Sequence, residues 1–207
     1  RVKIFGNRTN LLIEYLKTNT NITLIDLRKP LIEKKDSYKL YYTNEHHWTY
    51  IGAYFGYLEV IKKLKITKNL EFYNISEFKV SDITKKGGTA GMIGMEKTLL
   101  DKEKYYSLSE YQKNVTSTEM GPLIRVKTVT SSNNSSKPNI FIFGDSFLNY
   151  FEPFISPLGN NVTYLINSYN EVNEFEMMKK QNLSIIIYER NEHNLFKFFH
   201  NTNFTDI

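Results

Sequence analysis

The chain has 207 residues and a formal net charge of +5, from 27 Lys and Arg against 22 Asp and Glu. The basic residues are dispersed and no recognised nucleic-acid-binding motif occurs, which argues against a nucleic-acid partner. With 41% hydrophobic and 24% charged residues, the composition excludes a disordered or fibrous chain. The absence of cysteine excludes disulfides, thiolate nucleophiles and Cys-ligated zinc.

No apolar stretch approaches the roughly 20 residues that span a bilayer, so we expect no transmembrane segment in these residues. The chain begins at Arg1 without an initiating Met or a signal-peptide h-region. We therefore expect a fragment of a longer exported or membrane-anchored protein. Residues 1–207 are expected to form one domain around one core.

The first quarter of the chain predicts alternating helices and strands. Apolar residues recur at helical spacing at the start: Leu11, Leu12, Tyr15 and Leu16. Two strand-like runs follow, at residues 22–25 and 39–43. The second run ends directly before the sequence Glu45-His46-His47-Trp48. Thr49 is a suitable N-cap, and apolar residues share one face after it, so a helix is expected over residues 49–64.

The remaining chain continues this alternation. Residues 70–129 are harder to interpret, with strand-like pieces at 70–73 and 123–130 and a glycine-rich stretch at 87–94. After a polar loop, the expected elements are a strand at 139–143, helical spacing over 147–155, strands at 162–166 and 183–188, and helices at 171–180 and 192–200. Strands alternating with helices predict a three-layer α/β domain, with a largely parallel central sheet flanked by helices.

Three residues make up a chemically complete nucleophilic site. Ser146 follows the strand 139–143 directly, and ligand and catalytic groups of open α/β sheets lie at such strand ends. A serine hydroxyl needs a neighbouring base, which His47 can supply from the end of another predicted strand. Glu45 lies two residues before His47, on the same face of an extended segment, and can orient the imidazole. We therefore predict a site of Glu45, His47 and Ser146.

Each part also has a simpler interpretation. Gly-Asp-Ser alone is usually an ordinary turn, and adjacent histidines are usually surface or core-edge residues. A metal site is the competing use of Glu45, His46 and His47, but neighbouring side chains of an extended segment point to opposite faces and no H-E-x-x-H motif occurs. We predict no metal and no cofactor. The glycine-rich stretch matches no phosphate-binding motif, so it is expected to serve either as an oxyanion-donor loop or in close packing.

Five sequence blocks, in this order, resemble the SGNH-hydrolase-like proteins of alginate O-acetylation and the related DHHW proteins. The blocks are residues 24–27, residues 41–53 with Glu45-His46-His47-Trp48-Thr49, residues 87–95, residues 143–147 with Gly-Asp-Ser, and residues 187–191 with Glu-Arg. The chain has Glu45 where the family pattern has Asp. The resemblance implies an SGNH-hydrolase-like fold with circularly permuted motif order, because the acid and the histidine precede the serine.

The resemblance also implies a function. Proteins of this kind are extracytoplasmic and transfer acetyl groups to hydroxyls of a polysaccharide, with a membrane-bound O-acyltransferase as acetyl supplier. By position, Ser146 is the nucleophile, His47 the general base and Glu45 the orienting carboxylate. An acetylesterase of the same fold and a catalytically inactive polysaccharide-binding module remain the alternatives.

Further residues are expected to contact the substrate or the reacting carbonyl. Trp48 and Tyr188 are aromatic residues near the proposed site, and Arg190 follows the late strand; all three are candidates for substrate binding. Backbone N–H groups of Ser146 and Gly88 are candidates for stabilising the oxyanion.

Overall fold

The computed structural model describes residues 8–68, 70, 72–108, 113–119, 125–131, 136–167, 171–179 and 181–192. Its helices are α1 (Arg8–Asn19), α2 (Arg28–Lys34), α3 (Tyr50–Lys68), α4 (Gly88–Met92), α5 (Glu152–Ile155) and α6 (Glu171–Lys179). Its strands are β1 (Phe78–Lys86), β2 (Leu100–Leu108), β3 (Lys113–Glu119), β4 (Arg125–Ser131), β5 (Ile140–Gly144), β6 (Asn161–Ile166) and β7 (Ile185–Tyr188). Short 3-10 helices cover Ile75–Glu77, Ser146–Tyr150 and Ser156–Leu158. None of the helices described is long and apolar enough to cross a bilayer.

The central sheet has the order β3-β4-β6-β5-β7 within the described residues. Strand β5 pairs in parallel with β6 and β7, whereas β4 pairs antiparallel with β3 and β6. The fold is thus α/β as predicted, but the sheet is mixed and not largely parallel. The β3–β4 pair is antiparallel because only a short connection joins Glu119 to Arg125, whereas a parallel crossover needs a dozen or more residues.

The core joins β5 and β6 to the short helices after β5, and these short helices pack in turn against the long helix α3. Both strands are almost completely buried, as expected for the middle of a covered sheet. Phe154 of α5 is fully buried and packs against the rings of Tyr54 and Tyr57 on α3. This packing fixes the start of α3 against the turn that follows β5. The sequence prediction of this helix, at residues 49–64, is confirmed.

Three predicted strands, at residues 22–25, 39–43 and 70–73, are wrong: their described residues are irregular. In the second, an isolated bridge joins Tyr41 to Trp48. The N–H of Tyr42 donates to the carbonyl of His47 at 3.2 Å, and the N–H of Thr49 donates to the carbonyl of Leu40 at 2.8 Å. Residues 43–47 therefore form a loop that is closed at its base. The predicted helix at 192–200 lies outside the described residues apart from Glu192.

Strands β1 and β2 form a separate antiparallel ribbon, paired from Phe78↔Leu108 to Lys86↔Leu100. This ribbon could not be predicted from the sequence, because its residues are mostly polar and show no apolar alternation. Helix α4 follows β1 within the glycine-rich stretch. The ribbon brings α4 and β2 beside the loop of residues 43–47.

Candidate active site

Ser146 lies in a tight turn directly after β5. Asp145, which is fully buried, caps this turn: Oδ1 accepts from the N–H of Phe147 at 3.0 Å, and Oδ2 accepts from the N–H of Asn191 at 2.9 Å. Ser146 then begins a 3-10 helix. Among the described residues, the N–H of Ser146 has no acceptor. The aspartate of Gly-Asp-Ser thus shapes the turn and leaves the serine hydroxyl and N–H to face other groups.

A chain of two hydrogen bonds joins Ser146, His47 and Glu45. Oγ of Ser146 lies 2.5 Å from Nε2 of His47, and Nδ1 of His47 lies 2.9 Å from Oε1 of Glu45. The side chains of His47 and Glu45 are only 13% and 7% exposed. With the proton on Nδ1, Nε2 is free to accept the proton of the serine hydroxyl. The three residues predicted from sequence are therefore adjacent and in an order suited to proton transfer.

Glu45 is held on both of its carboxylate oxygens. Oε1 also accepts from the backbone N–H of His46 at 2.9 Å and lies 2.8 Å from the ring nitrogen Nδ1 of His46. Oε2 accepts from the N–H of Gly88, at the start of α4, at 2.9 Å. A Cβ atom at Gly88 would lie 2.6 Å from Oε2, so only glycine fits against the carboxylate without displacing it.

Gly88 was predicted as an oxyanion donor. Its N–H is instead committed to Glu45, and an oxyanion role would require this hydrogen bond to break. The close packing of the glycine-rich stretch against Glu45 is the simpler use that the sequence had left open. The N–H of Ser146 remains the candidate donor.

Asp101 on β2 holds the backbone just before Glu45. Its carboxylate is 3% exposed and accepts from the N–H of Thr43 at 3.2 Å, the N–H of Asn44 at 2.9 Å and Nζ of Lys39 at 3.0 Å. A buried carboxylate with several donors is stabilised in its charged form, and the pKa of Asp101 lies below its usual value although burial opposes this. Sequence reasoning missed Asp101, because nothing in the pattern of β2 distinguishes it from its neighbours.

Burial and neighbouring charges tune the ionisation of the site. Burial lowers the pKa of His47, as does the nearby ring of His46, whereas Glu45 acts in the opposite direction. Burial also opposes ionisation of Glu45, but hydrogen bonds from the N–H groups of Gly88 and His46 outweigh it, and the pKa of Glu45 is lowered. The arrangement therefore combines a charged carboxylate with a neutral imidazole at neutral pH, which is the state a general base requires.

Trp48 is 3% exposed and lies beneath the site. Its Nε1–H donates to the carbonyl of Phe147 at 3.0 Å, and its ring packs edge-on against the rings of Phe147 and Phe151. Such a buried side chain offers no stacking face to a sugar, so the predicted substrate contact of Trp48 is wrong. Trp48 instead connects the histidine loop, residues 43–47, to the serine turn, which follows β5 and contains Ser146.

Tyr188 and Arg190 form one unit at the end of β7. Nε of Arg190 donates to Oη of Tyr188 at 2.7 Å, and the guanidinium lies 4.8 Å from the centre of the Tyr188 ring. Tyr188 packs on Phe143 of the neighbouring strand β5 and is partly exposed. The unit lies at the same strand edge as Ser146, and its substrate contacts stay a prediction.

Glu189, between these two residues, packs against Gly144. A Cβ atom at Gly144 would lie 2.5 Å from the carbonyl oxygen and 2.7 Å from Oε2 of Glu189, so the turn after β5 needs glycine there. Oε2 of Glu189 accepts from the N–H of Asp145 at 3.2 Å. Burial, together with the Asp145 carboxylate, raises the pKa of Glu189 well above its usual value.

Within the part of the chain that the structure describes, Glu45, His46 and His47 are the residues whose positions could suit a metal ion. Their ligand atoms lie within 4.8 Å of one another. The same atoms already contact one another, since Oε1 of Glu45 lies 2.8 Å and 2.9 Å from the two Nδ1 atoms. A metal would displace these contacts and with them the orientation of His47.

A cavity of about 260 Å³ opens beside His47. Its wall includes Tyr42, Lys85 of β1, Arg125 of β4, and Asn149 and Tyr150 of the helix that begins at Ser146. A pocket of this size is smaller than the roughly 300–1,000 Å³ of sites that enclose a drug-sized ligand, and suits one unit of a longer chain. The cavity places a bound group next to the imidazole.

Three solved structures are similar to this chain over most of its length. A DHHW family protein from Eubacterium siraeum matches with a TM-score of 0.66 and 13% identity, over 89% of this chain and 69% of that protein. Bacillus cereus PatB1 with a sulfonyl adduct matches with a TM-score of 0.66 and 13% identity, over 92% and 75%. The O-acetyltransferase domain of Pseudomonas putida AlgJ matches with a TM-score of 0.56 and 13% identity, over 91% and 65%.

The chain shares its fold with the DHHW family protein, PatB1 and the AlgJ O-acetyltransferase domain. No protein-family profile matches the sequence. No curated protein matches it either. The resemblance inferred from five sequence blocks is thus confirmed for the fold, and the chemistry of this chain has to be argued from its own residues.

Proposed function

We propose that this chain is an O-acetyltransferase that moves acetyl groups to hydroxyls of a polysaccharide through an acetyl-serine intermediate on Ser146. The observation that carries the proposal is the hydrogen-bonded series from Ser146 through His47 to Glu45. Its setting supports the same chemistry, since the chain shares its fold with O-acetyltransferase proteins.

The first half-reaction acetylates the enzyme. Nε2 of His47 takes the proton of Ser146 while Oγ attacks the acetyl carbonyl, and Glu45 stabilises the imidazolium that forms. The N–H of Ser146 can donate to the oxyanion of the tetrahedral intermediate, because no described residue accepts from it. Collapse of the intermediate breaks the donor's ester bond, and His47 returns the proton to the leaving oxygen.

The second half-reaction transfers the acetyl group. A sugar hydroxyl next to Nε2 of His47 loses its proton to the imidazole and attacks the acetyl-serine carbonyl. The ester bond to Oγ breaks, the proton passes back to Ser146, and the enzyme returns to its starting state. Water in place of the sugar would give an acetylesterase, so the cavity beside His47 decides the outcome by which acceptor it holds.

The proposal includes the cellular setting that the resemblance implies. The reaction is placed outside the cytoplasm, with a membrane-bound O-acyltransferase supplying the acetyl groups. Fractionation of cells that make the full-length protein tests this placement. Recovery of the protein only from the cytoplasm would contradict it.

Intact-mass measurement after incubation with p-nitrophenyl acetate tests the chemistry. We expect a gain of one acetyl group in the wild type, none in Ser146→Ala and much slower gain in His47→Ala. Ser81→Ala, which removes an exposed hydroxyl from β1, is the matched control and should acquire the adduct normally. Phenylmethylsulfonyl fluoride is a second probe, since PatB1 has been obtained with a sulfonyl adduct.

The acceptor is tested on the acetylated enzyme. Addition of oligosaccharides should shorten the lifetime of the adduct and yield acetylated sugar, whereas loss of the adduct at the same rate with and without sugar identifies an esterase. A wild type that forms no adduct and binds oligosaccharide would be a binding module, and the proposed function would be wrong.

A further inference from the structure

The cavity beside His47 combines two cations with aromatic rings. Lys85 enters it from β1, and Arg125 enters it from β4, a strand of the other sheet. Tyr42 and Tyr150 supply aromatic surface, and Tyr150 lies 5.6 Å from the His47 ring, centre to centre. Positive charge is therefore gathered next to the base from two separate parts of the fold.

Lys85 is held in place by aromatic rings and not by an ion pair. Its Nζ lies 4.6 Å from the centre of the Tyr42 ring and 4.1 Å from that of Tyr150, within the range of cation–π attraction. None of the described carboxylates lies within 4.0 Å of this ammonium group. The normally flexible side chain is thus pre-positioned, with its hydrogen bonds left for a ligand.

Each acidic group that acts on Lys85 at longer range accepts a hydrogen bond from another donor on at least one carboxylate oxygen. Glu45 accepts from His47 and Gly88. Asp101 accepts from Lys39 at 3.0 Å. Oε1 of Glu103 on β2 accepts from the N–H of Tyr50, at the start of α3, at 3.0 Å, and burial raises the pKa of Glu103, which favours its neutral form.

Arg125 is the second cation. It is exposed at the start of β4, and none of the carboxylates whose side chains the structure describes forms a salt bridge with it. A guanidinium group presents a planar fork of donors that matches a carboxylate or a phosphate. Lys85, on the β1–β2 ribbon, offers a point charge to the same anion.

We infer that this cavity binds the anionic group, a carboxylate or a phosphate, of an acidic acceptor glycan through Lys85 and Arg125. This inference rests on the proposed function and names the class of its acceptor. With its anionic group held there, a hydroxyl of the glycan lies beside Nε2 of His47.

Binding to the Ser146→Ala protein tests the inference without turnover. Isothermal titration compares trigalacturonate with its carboxyl-reduced counterpart galactotriose, and mannose 6-phosphate with mannose, so that carboxylate and phosphate are tested separately. We expect at least one charged probe to bind at least about tenfold more tightly than its neutral partner, with a preference that falls as salt is added.

Variants in the Ser146→Ala background locate the anion. Lys85→Met and Arg125→Gln should each reduce the charged preference about tenfold and leave binding of the neutral partner unchanged. Lys62→Gln, which removes an exposed charge from α3, is the matched control and should have no effect. Arg125 is exposed, so its replacement keeps the test valid if Lys85→Met does not fold.

Three results would overturn the inference: equal binding of the charged and neutral partners, a preference that both variants retain, or no binding of either charged probe at millimolar concentration. Failure of the proposed function is a different result, namely no acetyl adduct on wild-type Ser146, and it is measured without any glycan.

Discussion

Replacement of Glu45 by Gln tests the residue that contacts both His47 and Gly88. Oε1 accepts from His47 and Oε2 accepts from Gly88, each at 2.9 Å. An amide has one oxygen and one NH₂ group, so it satisfies only one of these donors. If the NH₂ group faces Gly88, two donors meet. If it faces His47, Nδ1 must become an acceptor, and the proton moves to Nε2, where it blocks transfer from Ser146.

The effect of each arrangement on the acetylation rate can be calculated. Loss of one hydrogen bond to a charged group costs about 1.5–3 kcal/mol, or about 10- to 150-fold in rate. The wrong tautomer in a serine–histidine–acid site costs about 10⁴-fold. We therefore expect Glu45→Gln to slow acetylation of Ser146 by about 10- to 10⁴-fold. Glu45→Asp keeps the charge but is one methylene shorter, so it should retain one of the two contacts and lie between Gln and the wild type.

The assay is nitrophenolate release from p-nitrophenyl acetate, with intact mass to confirm the adduct. Glu33→Gln, which removes an exposed carboxylate from α2, is the matched control and should react at the wild-type rate. Circular dichroism establishes that each variant is folded. A folded Glu45→Gln protein that acetylates within threefold of the wild-type rate would refute the role of Glu45 in orienting the histidine.

Three further predictions follow from the same geometry. Gly88→Ala should slow acetylation at least about tenfold without unfolding the protein, because the new Cβ would lie 2.6 Å from the Glu45 carboxylate; an unchanged rate in the same assay would contradict this contact. The acetylation rate should fall only below about pH 6.5, since burial lowers the pKa of His47 and the neutral base is present above that pKa; a pH–rate profile with its acid limb above pH 7 would oppose it. Trp48→Phe should lower Tm by about 2–4 °C through loss of the bond to the Phe147 carbonyl, and calorimetry that finds the wild-type Tm would disprove that contribution.

The residues of the proposed catalytic site could be predicted from the sequence because each lies in a local pattern. Ser146 follows an apolar strand that the structure contains, and the spacing of Glu45 and His47 permits contact without knowledge of the rest of the fold. The strand assigned to residues 39–43 is nevertheless absent. The carboxylate of Asp101, distant in sequence, accepts hydrogen bonds from the N–H groups of Thr43 and Asn44 and holds the end of that segment, and an apolar pattern cannot reveal such bonds.

The β1–β2 ribbon explains most of what was missed. Its exposed, mixed-charge strands carry no periodic apolar signal, yet they supply Asp101 behind the site and Lys85 in the cavity. The antiparallel pairs of the central sheet could not be predicted either, since strand direction depends on the connections between strands and not on composition. Trp48 was misassigned because an aromatic residue beside a catalytic histidine suits either stacking or packing, and only its burial distinguishes the two.

The position of Trp48 also gives the molecule an internal optical reporter. It is the single tryptophan of the chain. Excitation at the long-wavelength edge of the protein absorption band therefore gives emission from Trp48 alone, which lies between the histidine loop and the serine turn. Withdrawal of that loop would expose the indole to water and shift its emission to longer wavelength, even if the central sheet stayed intact. Fluorescence therefore follows assembly of the site of Ser146, His47 and Glu45 separately from global unfolding, without any label.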